Sequence, residues 1–302
     1  MSWKDKYFKD YSIFIRLEKS LSENSQEAYL GDLHKFFLFL ESVHPGMTPA
    51  DCSLEELREF THWISDLGLS AVSQARVVSG IRSFYRFLKL EGIVESNPAK
   101  LLETPKTGRK LPDVLSAVEI DQIISAIDLS TEYGYRNRTI IELLYGCGLR
   151  VSELTGLLIS NINFDYHYLR IIGKGNKERM VPIGSHALRS INNYMSLYRK
   201  IAHVEGGFED FVFLNRFGRN LSRVMIFNIV KTCTREAGIK KSVSPHTFRH
   251  SFASHLVEGG ADLRAVQELL GHESILTTEI YTHLNREFLV DTIKRFHPRS
   301  ES

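Results

Sequence analysis

Cysteine is scarce in this chain: Cys52, Cys147 and Cys233 are all there is. An odd number with no Cys-x-x-Cys pair excludes a disulfide framework and a cysteine zinc site. No apolar run approaches the roughly 20 residues that a membrane-spanning helix needs. The first residues are charged from Lys4 onward, which leaves no signal-peptide pattern. With reduced thiols, this leads us to expect a cytoplasmic protein. Charge of one sign is lacking too, at a formal net +2, which by itself announces no nucleic-acid partner. The excess is uneven: net −3 through residue 103 and net +5 beyond it. There is no internal repeat, no low-complexity tract and no carboxylate cluster for Mg²⁺.

Enough apolar residues are present, 43% of 302, for two ordinary domains with real cores. The first hundred residues read as helices. Tyr7, Tyr11 and Phe14 recur at helical spacing in residues 3–17. Asn24 with Glu27 suggests a capping box for residues 25–43, and Ser53 with Glu56 one for a helix ending near Leu67. A fourth helix is expected over residues 71–90. It carries Arg82, Arg86 and Lys89 along one face, Arg76 near its start, and Val78, Ile81, Tyr85 and Leu88 opposite. A solvated basic face is the ordinary meaning of such a stripe; beside a phosphate-handling site it becomes a candidate DNA-backbone surface. Residues 104–112 then mix Lys106, Arg109 and Lys110 with Pro, Gly and Thr, a basic linker. It divides a helical domain, residues 1–103, from a second domain, residues 113–302.

The second domain is expected to be helical around a small antiparallel sheet. Ser116 with Glu119 opens one helix, another runs from Asn137 or Arg138 to Tyr145, and Arg150 with Glu153 starts a third after Gly146-Cys147-Gly148. Residues 166–172 and 178–183 read as two strands around Gly173-Lys174-Gly175-Asn176-Lys177, with Ile162 and Asn163 as a short strand ahead of them. That glycine-rich loop is no Walker motif. It lacks Gly-x4-Gly-Lys-Ser/Thr and joins strand to strand, which excludes P-loop nucleotide hydrolysis.

The organising stretch lies near the C-terminus. Ser244 is an N-cap and Pro245 the first residue of a helix whose Phe248, Phe252 and Leu256 face the core. His246 and Arg249 lie one turn apart near its start, suited to holding an anion. Asp262 caps a short helix over residues 263–270 that Gly271 ends. His272 follows at once, and Tyr281 nine residues later.

In order, Gly-Leu-Arg150-Val-Ser-Glu, Gly-Lys174-Gly-Asn-Lys-Glu-Arg, His246-Thr-Phe-Arg249-His, Leu-Gly-His272 and Ile-Tyr281-Thr-His resemble the signature of the tyrosine recombinases over essentially the whole second domain. The helical first domain is similar to the family's SAM-like core-binding domain. Gly260-Ala-Asp-Leu-Arg264, Thr277 to His283 and Phe296-His-Pro-Arg299 look most like its bacterial Xer members. The resemblance implies a mainly α, two-domain architecture with one small antiparallel sheet. It implies strand cleavage by Tyr281, with Arg150, Arg249 and His272 on the scissile phosphate, His246 as base, Lys174 as general acid and Glu153 orienting Arg150. Arg76, Arg82, Arg86, Lys89, Lys106, Arg109, Lys110 and Lys177 would meet the DNA backbone. No cofactor and no metal is implied. The partners implied are double-stranded DNA at a dif-like site, a XerC-type recombinase in a heterotetrameric synapse and an FtsK-type translocase. An amphipathic helix over residues 285–295 is expected to dock into a neighbouring subunit. A type IB topoisomerase, a mobile-element integrase or invertase, and a DNA-binding regulator that cuts nothing are the rival readings.

Overall fold

The computed structural model describes residues 3–17, 23–105, 113–131, 133–173, 178–271 and 283–299. It divides into two compact units, Met1–Lys110 and Leu111–Ser302. Among the described residues no helix is long and apolar enough to cross a membrane.

The first unit is built from α1 (Trp3–Leu17), α2 (Glu23–Val43), α3 (Leu54–Asp66) and α4 (Ala71–Leu90). Ser53 and Glu56 form the expected capping box on α3, while α2 starts two residues ahead of its expected first turn. Its core is strongly aromatic: Tyr11, Phe36, Phe60, Phe84 and Tyr85 are all fully enclosed. Tyr11 donates to Ser83 at 2.9 Å and Tyr85 to the Pro49 carbonyl at 2.9 Å, so both phenols are satisfied inside.

In the second unit α5 (Ala117–Ser125) is boxed by Ser116 and Glu119 as expected. The next helix, α6 (Gly134–Gly146), begins three residues before Asn137. Its N-cap, Tyr133, makes no side-chain capping bond, so the sequence carries no start signal there. After α7 (Val151–Thr155) come β1 (Ile162–Asn163), β2 (Tyr168–Ile172) and β3 (Glu178–Pro182), an antiparallel sheet in the order β1-β2-β3. The second strand starts two residues later than Tyr166. Asn163 Oδ1 accepts from the Tyr166 amide at 2.8 Å and His167 takes φ +55°, which makes 164–167 a turn. Two helices that the sequence did not single out, α8 (Ser185–Tyr194) and α9 (Arg223–Glu236), complete the shell.

The helices α10 (Pro245–Glu258) and α11 (Leu263–Leu270) start at Ser244 and Asp262 as expected, with Gly271 left-handed at φ +62°. Phe248, Phe252 and Leu256 are fully buried. The last helix is α12 (His283–Phe296). Its Leu289 and Ile293 are buried in the core of their own unit, with Phe296 packed against it. Part of the apolar set is thus covered within the unit, while Phe288 stays 51% exposed. Arg299 continues the attachment, donating to Glu142 Oε1 at 2.7 Å and pairing with Asp121.

Candidate active site

Local chain geometry brings three arginines to one carboxylate. Gly148 turns the chain between α6 and α7 at φ +58°, and a Cβ there would lie 2.6 Å from the Phe252 ring. Only glycine fits this crossing. Arg150 then serves as N-cap residue of α7, which puts Glu153 in the first turn, its Oε2 accepting from the Arg150 amide at 2.8 Å. The side chain of Arg150 returns to Glu153 Oε1 at 2.8 Å. From β3, Arg179 donates to both oxygens, at 2.7 and 2.9 Å. From α10, Arg249 Nη1 stands 4.0 Å from Glu153 Oε2. Glu153, Arg179 and Arg249 are 8%, 7% and 7% exposed.

The same guanidinium groups hold the C-terminal end of α11. Arg179 Nε donates to the Leu269 carbonyl at 3.2 Å, Arg249 Nη2 to Leu270 at 2.5 Å and Arg150 Nη2 to Gly271 at 3.1 Å. These are carbonyls that a helix end leaves unpaired, where the macrodipole favours cations. Arg249 is fixed at its other side by the Gly148 carbonyl, 2.6 Å from Nη1.

Charge is out of balance here, with three cations around one anion. Burial, then the charge of Arg150, lowers the Arg249 guanidinium to about 10 against the pull of Glu153. Burial pushes the Glu153 carboxyl up, but hydrogen bonds and charge from Arg179, and bonds from Arg150, carry it below the ordinary carboxylate value. A buried cluster with surplus positive charge and planar donors is equipped to receive a dianionic or doubly contacted phosphate.

The expected site residues thus separate into groups. Arg150, Glu153 and Arg249 are brought together, and His246 lies exposed on the first turn of α10. Lys174, Lys177, His272, Tyr281, Lys106, Arg109 and Lys110 lie outside the described residues. The basic face of α4 divides. Arg86 and Lys89 are exposed. Arg76, also exposed, bonds the fully buried Asp32 at 2.5 Å, whereas Arg82 is turned to the carbonyls of Ala99, at 3.3 Å, and Leu102. A guanidinium can satisfy several carbonyls of a helix-to-coil exit at once, which a helical-wheel reading does not register.

Arg179 was missed, although it stands in the Gly-Lys-Gly-Asn-Lys-Glu-Arg run. Strand alternation could have found it. Arg179 pairs with Ile171 and Val181 with Leu169, so Arg179 shares the inward face of a strand pair. A charged residue at an inward strand position needs a buried partner.

Residues 113–287 match the phage integrase family, and residues 8–92 match the phage integrase N-terminal SAM-like domain. The chain belongs to the phage integrase family, and is a site-specific DNA recombinase of the tyrosine class. Within that class it is XerD-like. A tyrosine recombinase XerD from Oceanobacillus iheyensis is 41% identical over 96% of this chain and 98% of its own length. One from Chlorobaculum tepidum is 42% identical over 95% and 94%. A crystal structure of XerH site-specific recombinase, in a post-cleavage complex with palindromic difH substrate, shares the fold. Its TM-score is 0.70 at 24% identity, covering 89% of this chain and 79% of that one.

Proposed function

We propose that this recombinase cuts and rejoins DNA at a dif-like site through a 3′-phosphotyrosine link to Tyr281, and so resolves chromosome or plasmid dimers at cell division. The observation that carries this reading is the convergence of Arg150 and Arg249 beside Glu153 at the end of α11, where Gly271 precedes His272. Arg150 and Arg249 clamp the non-bridging oxygens of the scissile phosphate, with bonds that strengthen as charge develops in the pentavalent transition state. His272 adds a third donor. Tyr281 Oη attacks phosphorus after losing its proton to His246, because a phenol near pKa 10 needs help to ionise. The bond to the 5′ oxygen breaks, and Lys174 protonates that leaving group. A partner strand's 5′-hydroxyl then attacks the phosphotyrosine and releases Tyr281. The energy of the phosphodiester is kept throughout, so no nucleotide is consumed.

The first domain, residues 1–103, holds the duplex with Arg86 and Lys89 on the backbone, and Lys106, Arg109 and Lys110 of the linker and Lys177 add phosphate contacts. A XerC-type recombinase completes the synapse and an FtsK-type translocase acts with it, in the cytoplasm. Likeness to relatives named XerD supports this assignment.

A nicked dif-like duplex that traps the covalent product tests it, resolved by denaturing electrophoresis for wild type and Tyr281→Phe. The adduct should form with wild type and vanish in the variant. An adduct that persists would move the nucleophile elsewhere. Relaxation of supercoils without site preference would favour a topoisomerase.

A further inference from the structure

Glu153 has four acceptor directions, and all are taken. Oε1 receives Arg150 Nη1 and Arg179 Nη1, at 2.8 and 2.7 Å; Oε2 receives the Arg150 amide and Arg179 Nη2, at 2.8 and 2.9 Å. Arg249 is left at 4.0 Å, too far for a hydrogen bond. Arg179 is therefore the residue that occupies the carboxylate bidentately, in the fork geometry that guanidinium and carboxylate share. Its third donor, Nε, reaches Leu269. Gly271 lies directly on it, since a Cβ at that position would come within 2.9 Å of Arg179 Cδ.

Deprived of Arg179, Glu153 would keep only the bonds from Arg150 and would be free to swing onto Arg249. Two of the carboxylate's bonds would then be drawn from the groups that hold the phosphate, and the field aimed at the developing charge would fall. The last turn of α11 would lose a tie as well.

We propose that Arg179 is a positioning residue for strand cleavage, which keeps Glu153 from swinging onto Arg249 and fixes the end of α11, just ahead of His272. Arg179 acts through its neighbours and touches no DNA. The inference rests on the phosphate clamp proposed above and names a further requirement of it.

The charged groups facing Glu153 among the described residues are Arg150 at the start of α7, Arg179 on β3 and Arg249 on α10. Loss of Arg179 removes the chief influence holding the carboxyl low. Its protonation, which releases Arg150 from the carboxylate that orients it, would then intrude at higher pH, so the acid limb of the cleavage profile moves up.

The test uses the full chain on the nicked duplex, with Arg179→Gln, Arg179→Lys and Arg249→Ala in parallel. Binding to a single site is read by mobility shift, and single-turnover cleavage as a function of pH. Arg179→Gln should bind within about threefold of wild type and cleave on the order of 10²-fold more slowly, the loss expected when reacting groups are misplaced by about 1 Å. Its acid limb should lie above that of wild type. Arg179→Lys should restore the acid limb, because charge is kept, without restoring the full rate, because the bidentate fork is lost.

A wild-type rate and acid limb in Arg179→Gln, with Arg249→Ala inactive, would overturn this proposal alone. So would equal losses of binding and cleavage with no movement of the acid limb, the mark of a merely structural arginine. If Arg179→Gln does not fold, Arg179→Lys decides: a wild-type rate there also overturns it. Normal cleavage by Arg249→Ala would instead overturn the clamp itself.

Discussion

Asp32 in the first unit and Glu153 in the second are both buried acids facing more than one cation, yet their carboxyls are displaced in opposite directions. For Asp32, burial outweighs Arg76 and Lys35 and the pKa rises. For Glu153, the bonds and charge of Arg179 and Arg150 outweigh burial and it falls. The difference lies in where the cations stand. Arg76 is 42% exposed and its charge is shared with water, whereas Arg179 is enclosed with its partner. In the first unit a fully buried acid is tied to a part-exposed arginine whose charge water shares. In the second, two buried arginines and the part-exposed Arg150 surround one anion, and the surplus positive charge favours an incoming anion.

Truncation should separate the two acids most sharply. Glu153→Ala strands buried guanidinium groups and should cost about 3–5 kcal/mol of stability in the second unit. Asp32→Ala releases Arg76 and Lys35 to solvent and should cost about 1–3 kcal/mol in the first. Hydrogen exchange resolved by unit measures both, and equal losses would erase the distinction.

Next in size comes function. Arg249→Ala should slow cleavage by about 10²–10³-fold while leaving single-site binding in place. Arg86→Ala on exposed α4 should weaken binding to all sequences alike and lower the salt slope by about 1. Cleavage of the bound complex should be unchanged, read in single-turnover assays at saturating protein.

Acid provides the smallest test, and its direction differs between the units. The folded Glu153 carboxyl lies below its unfolded value of about 4.3. Its stabilisation is complete above that pH and is lost as pH falls through the folded value. The folded Asp32 carboxyl lies above its unfolded value of about 3.9, so a penalty present at neutral pH is relieved as pH falls through the folded value. On acidification the gap between wild type and Glu153→Gln should close, and wild type should gain on Asp32→Asn. Parallel trends in unit-resolved exchange would contradict the assignment.

The elements that announce themselves by capping and periodicity were legible in the sequence: Ser53–Glu56, Ser116–Glu119, Ser244–Pro245 and Asp262 with Gly271 mark their helices in the structure. The start of α6 was not, because Tyr133 contributes no cap. The acid–base pairing of Arg150 with Glu153 could be read from one helical turn. That Glu153 is shared with Arg179, 26 residues on, could not. Local patterns carry short-range bonds, while a contact between α7 and β3 depends on how the hairpin folds back. The same limit explains Arg82, whose carbonyl partners lie beyond the end of its own helix.

The carbonyls of Leu270 and Gly271 occupy one donor each of Arg249 and Arg150. Each guanidinium carries five N–H donors, so these carbonyl bonds anchor the arginines without using up their capacity for an anion. The end of α11 is thus a brace for the proposed clamp, and a substitution that shifts that turn would reach both arginines at once.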